Sequence, residues 1–174
     1  VGNYEITVFG YGTNNYEITY VAGNLIVNQK EVELTWGVTT FTYNGKSQVP
    51  NVVITELLNN DECVVTVTGE RTNAGETYTA TATALSNENY KLPTDDTVNF
   101  EIKPASLTVT VNDVEVTYGD TKPEYTVSYI GFVNGEDEKV LAADEVEFAC
   151  EYEQYSNVGN YEITVFGYGT NNYE

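Results

Sequence analysis

The chain has 174 residues, with 27 acidic against 7 basic side chains, a formal net charge of −20 and no histidine. That acid excess opposes nucleic acid and anionic membrane surfaces, which draw their partners by positive potential. Without histidine the commonest general base and metal ligand is missing, and the 15 tyrosines, with abundant Thr and Val, give a β composition sufficient for one or two small domains.

The first element is also the last. Val1–Glu17 reads VGNYEITVFGYGTNNYE, and Val158–Glu174 repeats it letter for letter, a period of 157 residues. Such a recurrence predicts a tandem array cut at an arbitrary phase. The chain lacks methionine, so it is not expected to carry its own start codon; it shows no signal peptide, no anchor and no apolar run near 20 residues. Phe9-Gly10-Tyr11-Gly12 contains a GxG, but no helix pattern or downstream acid completes a dinucleotide fingerprint, so it reads as a turn or bulge beside a strand. Tyr20–Val27 reads as a strong strand, and Asn28-Gln29-Lys30 as a short joint.

Beyond the joint, strands alternate apolar and polar residues. Cys63, Val65 and Val67 share a face, as do Tyr78, Ala80, Ala82 and Ala84, then Leu107, Val109 and Val111. Val146, Phe148, Cys150 and Tyr152 oppose Glu145, Glu147, Glu151 and Glu153. Period-two alternation predicts sheets with one buried face. Trp36 is the expected core anchor of its region, and one helical turn is expected near Glu136–Ala143. Landmarks recur in one order: Thr42-Tyr43-Asn44-Gly45 answers Thr117-Tyr118-Gly119-Asp120, and Asn73-Ala74-Gly75 answers Asn157-Val158-Gly159. This order predicts two diverged copies of one module: 31–104, and 105–174 lacking its last strand, with 1–30 as the closing strands of a preceding copy. The fold class is all-β, two small antiparallel β-sandwiches in tandem, with a β-grasp-like second module carrying the helical turn as the alternative.

These landmarks resemble the MBG and YDG-type repeat domains of bacterial surface proteins. The resemblance rests on LTVTVNDVEVTYGD (Leu107–Asp120), GFVNGED (Gly131–Asp137), NVGNYEITV (Asn157–Val165) and NNYEITYVAGNLIV (Asn14–Val27). LTWGVTTFTYNGKSQVP (Leu34–Pro50) and NAGETYTATATALSNENYKL (Asn73–Leu92) look like a companion Ig-like repeat. The resemblance implies an exported, extracellular, wall- or envelope-attached stalk with no shared catalytic residues.

Candidate sites are few. Cys63 and Cys150 each lie on an apolar strand face, one per module, and are expected as free, buried thiols, with a disulfide between modules or chains as the alternative. The acidic turns Asn59–Glu62, Asp95-Asp96 and Asn134–Glu138 read as solvated turns. Glu136, Asp137 and Glu138 are the first candidates if calcium binds, though none of the turns has EF-hand spacing. Lys30, Lys46, Lys91, Lys103, Lys122 and Lys139 are the candidates for an isopeptide crosslink. Tyr11, Tyr20, Tyr129 and Tyr168 are candidates for a glycan platform. No catalytic residue and no cofactor is expected.

Three functions fit. One is a non-catalytic stalk repeat of an exported adhesin or fibre. Another is a filament subunit, in which residues 1–30 of one chain complete 105–174 of the next, head to tail. The third is a low-affinity multivalent repeat for mucin or glycan. Neighbouring copies are the expected partners, with neither nucleic acid nor membrane insertion.

Overall fold

The computed structural model describes residues 1–141 and 146–174. Described in chain order, the strands are β1 (Gly2–Ile6), β2 (Gly23–Val27), β3 (Lys30–Glu31), β4 (Glu33–Trp36), β5 (Thr40–Thr42), β6 (Val52–Thr55), β7 (Val65–Thr68), β8 (Gly75–Leu85), β9 (Tyr90–Lys91), β10 (Thr97–Lys103), β11 (Thr108–Val111), β12 (Val127–Ile130), β13 (Glu147–Ala149) and β14 (Thr164–Phe166). The chain is thus almost all β, as the alternation predicts. Where the sequence predicts a helical turn there is one turn of 3-10 helix, Glu138–Val140, capped by the Asp137 side chain, which accepts the Lys139 N–H. Ala142 and Ala143, the end of that predicted turn, and Glu145 of the predicted strand lie outside the described residues.

Two compact units emerge, each drawing on separated stretches of chain. The first comprises Val1–Val38, Pro50–Gly69 and Thr79–Val98. Here β1 and β2 form an antiparallel hairpin, and β4 runs antiparallel to β6 with Trp36 opposite Val52. Strands β3 and β9 pair in parallel. The core is small: Val32, Ala80, Ala82 and Tyr90, with Pro50. The Tyr90 hydroxyl donates to Asp61 at 2.9 Å and accepts the Leu58 N–H at 2.9 Å. It thereby ties down a turn in which Glu56, Asn59 and Asn60 all take positive φ. Trp36 is half-buried.

Alternation in β8 holds through Ala80 and Ala82 and then slips. A bulge between Thr66 and Val67 of β7 sets Val67 opposite Ala82 but Thr66 opposite Ala84. One extra residue in β8 flips the following face, so Ala84 points to water where strict alternation would bury it.

The second unit comprises Thr39–Val49, Glu70–Tyr78 and Asn99–Glu174. Strand β5 lies parallel to β10, with Thr40 opposite Glu101. The pairs β11–β12 and β13–β14 are antiparallel. The chain's last residues run beside Ala105. The Ala105 N–H donates to the Asn172 carbonyl at 2.8 Å and the Leu107 N–H to the Glu174 carbonyl at 2.8 Å. Among the described residues the unit's buried core comprises Tyr43, Phe100, Ile102, Ala105, Leu141, Tyr152 and Tyr173. Gly131 ends β12 at φ +123°, and a Cβ there would sit 2.3 Å from the Ser106 carbonyl oxygen. Only glycine takes that conformation without strain in that space.

Candidate functional site

The acidic turn of the second unit is built around Glu136. Asn134 and Gly135 take φ of 54° and 76°, closing a turn in which the Glu136 N–H donates to the Val133 carbonyl at 3.0 Å. The Glu136 carboxylate then accepts two phenols. The Tyr43 hydroxyl donates to Oε1 at 2.6 Å, and the Tyr173 hydroxyl donates to Oε2. The two rings meet edge to face at 5.4 Å, Tyr173 meets Phe132 likewise at 5.5 Å, and the Val133 N–H donates to the Tyr173 hydroxyl at 3.1 Å. Burial first, then the neighbouring Glu136 charge, pushes Tyr43 up to about 12 and raises Tyr173 as well. With both oxygens held by phenols, this carboxylate clamps two distant parts of the unit together.

The other two predicted ligands have different partners. Asp137 caps the 3-10 turn and pairs with the Lys139 ammonium at 3.2 Å, contacts that hold its carboxyl below the usual range; Glu138 is exposed. Among the described residues no group of three or more His, Cys, Asp or Glu side chains is arranged to hold a metal ion.

Cys63 and Cys150 are free thiols, each half-buried. Lys30, Lys91, Lys103 and Lys139 each pair with a carboxylate, and Lys122 donates to the Cys150 carbonyl at 3.2 Å. In the first unit the Tyr20 hydroxyl bonds the Tyr11 backbone twice, donating to its carbonyl at 2.6 Å and accepting its N–H at 2.9 Å. In the second, Tyr129 and Tyr168 share a hydroxyl–hydroxyl bond of 2.6 Å and are half-buried, with Tyr129 pushed up to about 12 by burial and by Tyr168. Phe9–Gly12 is non-strand backbone following β1.

One concavity lies in the second unit. It encloses about 530 Å³ and is lined in part by two segments, 113–116 and 159–163, that belong to no strand. Val114, Val116, Tyr125, Cys150 and Tyr152 line it alongside Tyr161 and Ile163. The Tyr125 hydroxyl is buried there beside the Cys150 thiol. Burial, then the neighbouring Cys150 thiol, pushes that phenol up to about 12. Next to the concavity, Thr117 and Asp120 close a turn through paired bonds of 2.8 and 2.9 Å, with Gly119 at φ +97°. The Tyr152 hydroxyl and the Gln154 amide donate to the carbonyls of Asp120 and Gly119.

This turn lies in a segment that matches a known family: residues 107–174 fit the family model described as MBG domain (YGX type). The segment is an MBG-type domain. The MBG domain is a non-enzymatic repeat type found in surface proteins. No curated protein and no solved structure matches the chain. Among the described residues no helix is long and apolar enough to cross a membrane.

Sequence reasoning reached the MBG segment and the acidic turn, but not the tyrosine clamp on Glu136 or the concavity. Alternation alone did not show that 159–163 lies outside any strand while the same five residues at 2–6 form β1.

Proposed function

We propose that the chain is a non-catalytic structural repeat of an exported bacterial surface fibre or adhesin stalk, working outside the cell by setting distance. The observation that carries this reading is the letter-for-letter return of Val1–Glu17 at Val158–Glu174 in a chain whose residues 107–174 are an MBG-type domain. Successive modules on this reading are 31–104 and 105–174. The acid excess supports it, because identical modules at high local density stay apart through like charge. Head-to-tail neighbours are its partners.

Small-angle scattering from concatemers of one, two and three 157-residue periods tests the reading. A stalk lengthens by a constant increment per period. A maximum dimension that grows only as the cube root of mass would refute it.

A further inference from the structure

One sequence stands in two surroundings within this chain. At residues 2–6, GNYEI is strand β1, paired with β2 so that Gly2 faces Val27, Tyr4 faces Leu25 and Ile6 faces Gly23. At residues 159–163 the same GNYEI belongs to no strand and lines the concavity of the second unit. Strand alternation places Tyr4, Ile6, Leu25 and Val27 on one face of the hairpin. That face lies open: Tyr4, Ile6 and Leu25 are 53%, 56% and 52% exposed. Two strands with an apolar face in water are an incomplete unit. The counterparts Tyr161 and Ile163 are half-buried, and Tyr161 packs edge-on to Tyr152 at 5.6 Å.

We propose that β2 of a second copy of the chain enters the concavity and pairs with residues 159–163, in the register it holds against β1. Val27 then faces Gly159, Leu25 faces Tyr161 and Gly23 faces Ile163. Because the two GNYEI segments are identical, every ladder bond lost at β1 is remade against the same residues. What changes is the surrounding: Leu25 and Val27 leave water for Val114, Val116 and Tyr152. Charge agrees with this occupant. Asp113, Glu115 and Glu162 edge the acceptor, and Ile18–Gln29 carries no charge in a chain of net −20. Donor and acceptor are different surfaces, so the contact propagates into an open line unless its rotation closes a ring. The choice of partner rests on the repeat reading above; the pairing itself is read separately from the scattering of covalent concatemers.

The register gives the test. In a background with Cys63 and Cys150 replaced by alanine, chains carrying Asn24→Cys and chains carrying Glu162→Cys are mixed and treated with a short dithiol-reactive cross-linker. The expected product is a heterodimer of twice 19.3 kDa, at least tenfold more abundant than from Asn24→Cys mixed with the off-register Glu147→Cys. Equal yields, or none from chains that remain β-folded by circular dichroism, would overturn the proposal. The unsubstituted chain supplies a second reading. A labelled peptide of residues 18–27 is expected to bind it saturably, and the Leu25→Asp peptide at least tenfold more weakly; absence of saturable binding by the first peptide overturns the pairing even where the cysteine variants fail to fold.

Discussion

Replacing Glu136 with alanine tests whether the tyrosine clamp holds the second unit together. The substitution removes two phenol–carboxylate hydrogen bonds, and leaves Tyr43 and Tyr173, each about 6% exposed, with hydroxyls in an environment that water does not easily reach. A hydrogen bond to a charged acceptor contributes about 1.5–3 kcal/mol, and a buried polar group left unpaired costs about 1–3 kcal/mol. The Val133 N–H still donates to the Tyr173 oxygen, but both phenol O–H groups lose the acceptor that Glu136 supplied. The expected loss is therefore about 2–4 kcal/mol, which in a chain of this size lowers Tm by roughly 4–16 °C. Urea unfolding read by hydrogen exchange across residues 99–174 locates the loss, with Glu138→Ala, an exposed neighbour, as the control at about ±0.5 kcal/mol. Tyr43→Phe and Tyr173→Phe should each cost less than Glu136→Ala, and neither should add its full effect on top of it, because both bonds end on the same carboxylate. Glu136→Ala within about 0.5 kcal/mol of the Glu138→Ala value would refute the clamp.

Four further outcomes are expected. Ile102→Ala, at a site 1% exposed, should destabilise by roughly 2–5 kcal/mol in denaturant titration. Gly131→Ala should cost more than about 1 kcal/mol by the same measurement, since its Cβ meets the Ser106 carbonyl and its φ is left-handed. Tyr43, Tyr125 and Tyr129 have folded-state pKa values pushed up to about 12, above their ordinary value of 10.0, so their contribution is fully present below pH 10 and is lost as pH climbs toward 12; thermal melts from pH 8 to 12 should fall in that window, and Tyr129→Phe should flatten the fall. Calcium at millimolar concentration should leave Tm unchanged within about a degree in calorimetry, because a cation that binds the folded state would raise it and Glu136 is committed to its two phenols.

Local pattern carried the strand reading a long way. Cys63, Val65 and Val67 alternate inward as their sequence implies, and so do Leu107, Val109 and Val111, because a strand's side chains change sides at every residue whatever lies across from them. Ala84 departs for a reason held elsewhere: the bulge belongs to the pairing with β7, which the run Tyr78–Ala84 does not contain. Cys63 and Cys150 are half-buried, where the alternation implies full burial.

By itself the sequence determined composition, alternation, turn chemistry and the MBG-type segment, all properties of residues near one another in the chain. Tertiary structure alone decided what Glu136 holds, since Tyr43 and Tyr173 reach it from 93 and 37 residues away. The repeated 17 residues show the division most plainly. Tyr16 is 77% exposed and its twin Tyr173 is 6% exposed, in identical local sequence. Burial is a property of what the rest of the chain brings alongside, and no local pattern encodes it.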